Sequence, residues 1–202
     1  MLLQTLGNVL GTDRIDGSSP RGNGDDEAVA VGVLMQIGGE LGKAAVPLLA
    51  GRQVYAGLAL LRQIVEVEYL AWAFATKAGD AKAWLNASRR ERESFFRPAR
   101  LRERSGGRFR SVDYAHHCEM GGHPVPNAVQ LLDGSTKGVQ QLALVDLLQH
   151  GWRTWDSLVA WAKSRPFGGE VILPHADRAR AELKAWSNAD PLYDLPPSPP
   201  LE

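Results

Sequence analysis

Two long stretches of apolar residues recur at helical spacing, and they constrain the fold more than any other feature. The first runs from Pro47 to about Lys77, and its polar residues are so few that almost no face is left for solvent. A helix that is apolar all round must be covered on every side, so this one is predicted to be central. The second runs from about Gly138 to Lys163, with apolar residues every three or four positions. The sequence therefore predicts an all-α bundle built around two long central helices.

Shorter helices are predicted around this pair, at about 25–40, 81–96, 112–120 and 174–186, with another short helical stretch at 98–104. Ser111 is predicted to cap the helix at 112–120, and residues 168–173 are predicted to form one short extended segment. No internal repeat and no alternating strand pattern is present. We expect one helical domain of five or six helices over 25–187, preceded by a flexible segment 1–24 and followed by a Pro-rich tail 188–202.

Composition and charge narrow the class of protein. Of the 202 residues, 44% are apolar and 23% charged, which is ordinary for a globular protein and excludes a wholly disordered or fibrous chain. The net charge of zero argues against a general nucleic-acid coat protein. Because Cys118 is the only cysteine, no internal disulfide can form, which predicts a reducing compartment. The N-terminus lacks a basic export region, and charged residues interrupt the most apolar run, so a cytoplasmic protein without a membrane partner is expected.

Although the whole chain is neutral, residues 89–110 form a basic band. Residues 89–110 contain nine arginines but only three acids. One interpretation is a solvated helix surface, and the other is a phosphate-binding ridge, because guanidinium groups make bidentate contacts with phosphate oxygens. On the second interpretation the candidate substrate-binding residues are Arg97, Arg100, Arg104 and Arg108.

Charged, titratable and nucleophilic side chains are most concentrated in residues 108–126, RFRSVDYAHHCEMGGHPVP. This stretch holds two arginines, three of the five histidines, the cysteine and two acids. Arg110 at a loop-to-helix junction and His116, one to two turns later, could reach the same phosphate. The arginine would neutralise developing charge while the histidine moves a proton, and Asp113 could orient His116 or His117. RNA supplies its own nucleophile in the 2′-hydroxyl, so such a pair predicts cleavage without metal.

An all-α domain with Arg-x(4–6)-His after a loop resembles the HEPN superfamily of helical, metal-independent ribonucleases and RNA-binding modules. Arg110 and either His116 or His117 match this motif. The resemblance implies an endoribonuclease of a bacterial defence or toxin system that needs no cofactor. It also implies a homodimer, and an antitoxin or a neighbouring defence protein as a partner.

A second likeness covers more of the chain. Arg62 and Glu66 within RQIVE, then Tyr114, Cys118 and His123 before a proline, look like a family of helical bacterial proteins that itself looks HEPN-like. Cys118 stands where that family more often has serine. This resemblance makes His123 the key histidine, and it gives Arg62, Glu66 and Tyr114 a supporting role. An ordinary ion pair on one helix is the alternative for Arg62 and Glu66.

Three alternatives stay open at this point. The histidines could be structural residues of a partly buried helix, and the protein could be a non-catalytic module that binds RNA or another protein. The third is a metal-dependent hydrolase, whose mixed ligands would be His116 or His117 with Glu119, His123 and Glu66 or Glu68. The repeated Glu-x-x-His spacing of carboxylate-bridged bundles is absent, so no metal is assigned in the main hypothesis.

Overall fold

A computed structural model describes residues 2–10, 25–132 and 137–190. Helices α1 to α10 run over Leu2–Leu10, Asp26–Ala50, Val54–Thr76, Asp80–Asn86, Arg89–Phe95, Pro98–Arg104, Ser111–His117, Lys137–Lys163, Pro166–Ile172 and Ala176–Ala189. A π-helical turn, Cys118–Gly122, continues α7, and 3-10 turns form at Pro126–Leu131 and Leu173–His175. The described residues contain no strand, which confirms the all-α fold. The predicted five or six helices were too few, because the helix predicted over 81–96 is divided and because α1 and α9 form in segments that were not predicted to be helical.

Helix α3 lies at the centre, between α2 on one side and α8 on the other. Its side chains Leu61 and Val65 are almost completely buried, as are Leu34 of α2 and Leu158 of α8. Burial of each such side chain contributes roughly 1.5–3 kcal/mol. The two predicted central helices are therefore present, and α2 is a third of similar length. The first central helix begins at Val54 rather than at Pro47, because residues 47–50 form the end of α2.

Helix α2 differs most from the prediction for its region. Asp25 caps its N-terminus, because the Asp25 side chain accepts a hydrogen bond from the Ala28 backbone nitrogen at 2.9 Å. The helix does not end near residue 40, however, but continues through Pro47 to Ala50. A Cβ at Gly39 would lie 2.7 Å from the Gln4 backbone nitrogen, so glycine allows α1 to approach closely rather than ending α2.

Helices occupy part of both segments that were predicted to flank the domain. Leu2–Leu10, which was assigned to a flexible segment, forms α1 with Leu6 and Leu10 buried. The rest of that segment, residues 11–24, lies outside the described residues. At the other end α10 continues to Ala189, and residues 191–202 of the Pro-rich tail lie outside the described residues.

Three local predictions were also wrong. The helix predicted over 81–96 is two helices, because Ser88 and Glu91 form a capping box that starts α5. Residues 168–173 are helical rather than extended, since α9 buries Ile172 completely. Ser111 is the first residue inside α7, and the cap position belongs to Arg110.

Among the described helices, α2 alone is long and apolar enough to cross a membrane by length and composition. Half of its most apolar window is buried inside the fold. The core helix of a soluble protein passes the same test, so the finding is weak evidence for a membrane span.

Candidate functional site

Two histidines meet in the interior where α3, α7 and α8 come together. His117 ends α7 and His150 lies in the middle of α8, and each is only 7% exposed. Their Nε2 atoms are 3.2 Å apart. On its other side His150 Nδ1 lies 2.5 Å from Glu68 Oε2 of α3, and Glu68 is itself 2% exposed. Three elements that are far apart in sequence therefore build one buried polar cluster.

Asp146 completes this cluster from one turn before His150 on α8. Its Oδ1 lies 3.3 Å from His150 Nε2, and its Oδ2 lies 3.7 Å from His117 Nδ1. One ligand atom from each of His117, Asp146 and His150 can be chosen so that all three lie within 4.8 Å of one another. We call Glu68, His117, Asp146 and His150 the buried histidine cluster.

The electrostatics of the cluster differ between its two histidines. Burial disfavours the charged form of His150, but hydrogen bonds to Asp146 and Glu68 outweigh burial and raise its pKa to about 9. Burial lowers the pKa of His117, Asp146 opposes that effect and the charge of His150 adds to it. Although burial would raise the pKa of Asp146, its contacts with His150 lower it. At neutral pH the metal-free cluster therefore holds a charged His150 between carboxylates and a neutral His117.

A pocket of about 300 Å³ opens above the cluster. His117, His150 and Glu68 line it together with three arginines, Arg108, Arg110 and Arg153, and we call it the basic pocket. Burial lowers the pKa of the Arg108 guanidinium, Glu68 opposes that shift and the nearby charge of Arg153 adds to it. Asp156, like Glu68, acts on this pKa in the opposite direction to Arg153. Two guanidinium groups thus line one small pocket, where both could contact the same anion.

Arg110 and Asp113 lie at this pocket but bind each other. Arg110 Nε and Nη2 donate to the two carboxylate oxygens of Asp113, both at 2.9 Å. Asp113 raises the pKa of Arg110, which is exposed to solvent. Asp113 is therefore hydrogen-bonded to the arginine rather than to a histidine.

The two histidines predicted to act, His116 and His123, are both exposed. Neither lines the basic pocket in the described structure. The His116 ring lies 6.2 Å from that of His117. His123 follows the π-helical turn, and its backbone oxygen accepts a hydrogen bond from Tyr55 at 3.3 Å. The structure thus brings Arg110 and Asp113 to the pocket with His117, the second histidine of the motif.

Arg62, Glu66 and Tyr114 form a closed triangle of hydrogen bonds. Arg62 Nη2 lies 2.8 Å from Glu66 Oε1 and donates to the Tyr114 hydroxyl at 2.8 Å. That hydroxyl donates in turn to Glu66 Oε1 at 2.7 Å. The guanidinium of Arg102 covers the Tyr114 ring, 4.3 Å from its centroid. The triangle ties α7 to α3 and so fixes the helix that carries His117.

The four arginines predicted to bind substrate are in different situations. Arg104 pairs with the buried carboxylate of Asp80, and Arg100 pairs with Glu103 at 2.8 Å. Arg97 is exposed at the start of α6. Of the four, Arg108 alone lines the basic pocket.

Sequence reasoning missed Asp146, His150 and Arg153. They stand at positions i, i+4 and i+7 of α8, so they share one face of a helix that was predicted from its apolar residues alone. A polar stripe on a predicted core helix was the available signal. No family model, no curated protein and no solved structure matches this chain. The site is thus defined as a buried histidine and carboxylate cluster beneath a basic pocket in an all-α protein.

Proposed function

We propose that this protein binds the phosphate backbone of RNA at the basic pocket and cleaves a phosphodiester bond there. The observation that carries the proposal is that Arg108, Arg153, His117 and His150 all line the same pocket of about 300 Å³. Arginines that bind phosphate oxygens beside histidines are the groups that phosphodiester cleavage requires. The resemblance to HEPN proteins independently predicts the same reaction class.

The distribution of charge in the pocket supports an anionic ligand. The positive charge of Arg110 is offset by Asp113, its bidentate partner. Arg108 and Arg153 both line the pocket, and Glu68 and Asp156 also act on Arg108. A phosphodiester could contact both guanidinium groups, and partial burial of Arg108 would strengthen its contact because water screens it less.

An exposed aromatic side chain favours RNA over a small phosphate ester. Phe95 is 60% exposed and lies within the basic band, between Arg92 and Arg97. Proteins that bind single-stranded nucleic acid combine positive charge with aromatic surfaces on which bases stack. The exposed arginines of α5 and α6 would then guide the strand, while Arg108 and Arg153 bind the phosphate to be cleaved.

The proposal moves the active histidine from His116 or His123 to His117, which lines the pocket. Arg62, Glu66 and Tyr114 keep their supporting role, because they hold α7 against α3. A homodimer and an antitoxin or a neighbouring defence protein as partner remain predictions of the resemblance. The resemblance also predicts cleavage without metal, whereas the buried histidine cluster favours a metal requirement.

The test is cleavage of a labelled, single-stranded RNA of mixed sequence by the purified chain, in EDTA and in buffer containing divalent metal. We expect Arg153→Gln and Arg108→Gln each to reduce cleavage about 10–100-fold, the effect of one lost charged hydrogen bond. Arg178→Gln is the matched control, because Arg178 is an exposed arginine of α10 that pairs with Glu182. Equal cleavage by all three variants would contradict the proposal.

The same experiment decides between an enzyme and a non-catalytic module. The pairing of Arg110 with Asp113 favours the second candidate, because it occupies the arginine that the resemblance assigns to catalysis. RNA binding that depends on Arg108 and Arg153, with no cleavage in either buffer, would identify an RNA-binding module.

A further inference from the structure

We propose that His117, Asp146 and His150 bind a divalent transition-metal ion, with Zn²⁺ as the best match, at the floor of the basic pocket. Binding of the ion stands independently of RNA cleavage. Only a role for the ion in cleavage rests on the proposed function.

Two of the three distances between the candidate ligand atoms suit one small ion, and all three ligand atoms lie within 4.8 Å of one another. Zn²⁺ binds histidine nitrogen and carboxylate oxygen at about 2.0–2.2 Å, so two ligands of a tetrahedral ion lie roughly 3.3 Å apart. The Nε2 atoms of His117 and His150 are 3.2 Å apart, and His150 Nε2 lies 3.3 Å from Asp146 Oδ1. The distances from His150 Nε2 to His117 Nε2 and to Asp146 Oδ1 therefore both match the spacing of ligands around a tetrahedral ion.

Glu68 gives His150 the outer partner that metal-binding histidines typically have. A ligating imidazole usually donates its other N–H to a carboxylate, which fixes the tautomer and aims the free nitrogen at the ion. Glu68 Oε2 lies 2.5 Å from His150 Nδ1, on the side of the ring away from His117 and Asp146. Glu68 is almost completely buried, where a carboxylate is unfavourable without a positive partner. A metal ion bound to His150 would place a positive charge near the buried Glu68 carboxylate and so stabilise it.

The helices hold the ligands with little freedom. Asp146 and His150 are four residues apart on α8, so both project from one face of that helix. His117 is the last residue of α7, which the triangle of Arg62, Glu66 and Tyr114 ties to α3. Preorganised ligands favour binding because little side-chain freedom is lost.

Three protein ligands leave a fourth position for a water molecule or a substrate oxygen, as in catalytic zinc sites. His117 and His150 line the basic pocket, so that position faces the space where Arg108 and Arg153 would bind a phosphate. The donor set also selects among ions. Two imidazoles and one carboxylate suit Zn²⁺ and its first-row neighbours, whereas Mg²⁺ prefers oxygen ligands.

The test is a titration of the full chain, freed of metal by a chelator, with Co²⁺ as an optical probe for the zinc site and with Zn²⁺ by calorimetry. We expect one ion per chain and the visible absorption of tetrahedral Co²⁺. His117→Gln and Asp146→Asn should weaken binding about 100-fold or more, while Glu68→Gln should weaken it about 10–100-fold, as outer partners do. His116→Gln, a change in the exposed neighbour, should retain wild-type affinity.

Folding is controlled by circular dichroism and by the thermal midpoint of each variant. Asp146→Asn is the most informative variant, because the Asp146 side chain is 35% exposed and asparagine keeps its shape. Absence of stoichiometric binding by the wild-type chain, or equal binding by Asp146→Asn and wild type, would overturn the proposal. Because no RNA is present, binding without later RNA cleavage would refute only the proposed function, and RNA cleavage without metal binding would refute only the metal site.

Discussion

The two neighbouring histidines of α7 occupy opposite environments. His116 is exposed, whereas His117 is buried against His150 and Asp146. Successive residues of a helix are about 100° apart, so one of two adjacent side chains can face the core while the other faces solvent. The comparison teaches that a motif read along the chain does not show which of its histidines is buried. That depends on the residues of α3 and α8 that pack around α7.

The largest expected effect on stability comes from replacing His150, against which His117 is buried. His150→Leu would leave Glu68 buried without its partner, and loss of one member of a buried charged pair destabilises a protein by about 3–5 kcal/mol. His116→Leu changes an exposed side chain and should alter the free energy of unfolding by less than about 0.5 kcal/mol. Urea denaturation measures both. Equal, small effects would show that the two histidines do not differ as described.

A dependence of stability on pH should follow from His150 in the metal-free protein. Its folded pKa of about 9 lies above the unfolded value of 6.5, so its stabilisation is complete below pH 6.5 and is lost as pH rises to about 9. Glu68 and Asp146 face the imidazolium and stabilise it. His117, whose pKa is lowered, opposes folding only below pH 6.5. One pKa unit corresponds to about 1.4 kcal/mol, so the loss should be on the order of 3 kcal/mol.

Denaturation midpoints between pH 6.5 and 9.5 measure this loss. His116→Gln should follow the wild-type profile, whereas His150→Leu should flatten it. A wild-type profile that does not change over this range would contradict a charged, buried His150.

The hydrogen bonds of Tyr114, which connect α7 to α3, should contribute less to the free energy of unfolding than His150 does. Tyr114→Phe removes a hydroxyl that accepts a hydrogen bond from Arg62 and donates one to Glu66, and loss of the two together should destabilise the protein by about 1–2 kcal/mol. Tyr55→Phe is the matched control, because its hydroxyl makes a long, exposed hydrogen bond to the His123 backbone. Equal midpoints for the two variants would show that the triangle does not hold α7 in place.

The smallest effect on stability is expected from the exposed ion pair between Arg110 and Asp113. Arg110→Gln breaks the ion pair with Asp113, which lies in solvent where salt and water screen charges. We expect no measurable change in the denaturation midpoint at physiological salt. A clear loss of stability would show that this pair has a structural role.

Much of the fold could be predicted, because helical periodicity is local. The apolar patterns of α3 and α8 predicted both central helices and an all-α protein. The continuation of α2 through Gly39 could not be predicted, since glycine is needed there only because α1 approaches so closely. The formation of α1 was missed for a related reason, because a short apolar helix is stable only when it packs on other elements, here on α2 and α9.

The candidate site was less accessible to sequence reasoning. The stretch 108–126 contains His117 and Asp113, and the predicted supporting residues Arg62, Glu66 and Tyr114 do come together. The partners of His117 lie on α8, about thirty residues later, at positions that a core helix would ordinarily fill with apolar side chains. Only the folded arrangement shows that Asp146 and His150 converge with Glu68 beneath the basic pocket.

The most direct test is RNA cleavage by three single-histidine variants, His117→Gln, His116→Gln and His123→Gln, each with a wild-type circular dichroism spectrum. Cleavage should fall about 100-fold or more in His117→Gln, at the low end of what a positioned catalytic group contributes, and should stay near the wild-type rate in the other two. Retention of cleavage by His117→Gln, together with its loss in His116→Gln or His123→Gln, would place the active site on the exposed surface of the protein and contradict the buried histidine cluster as its centre.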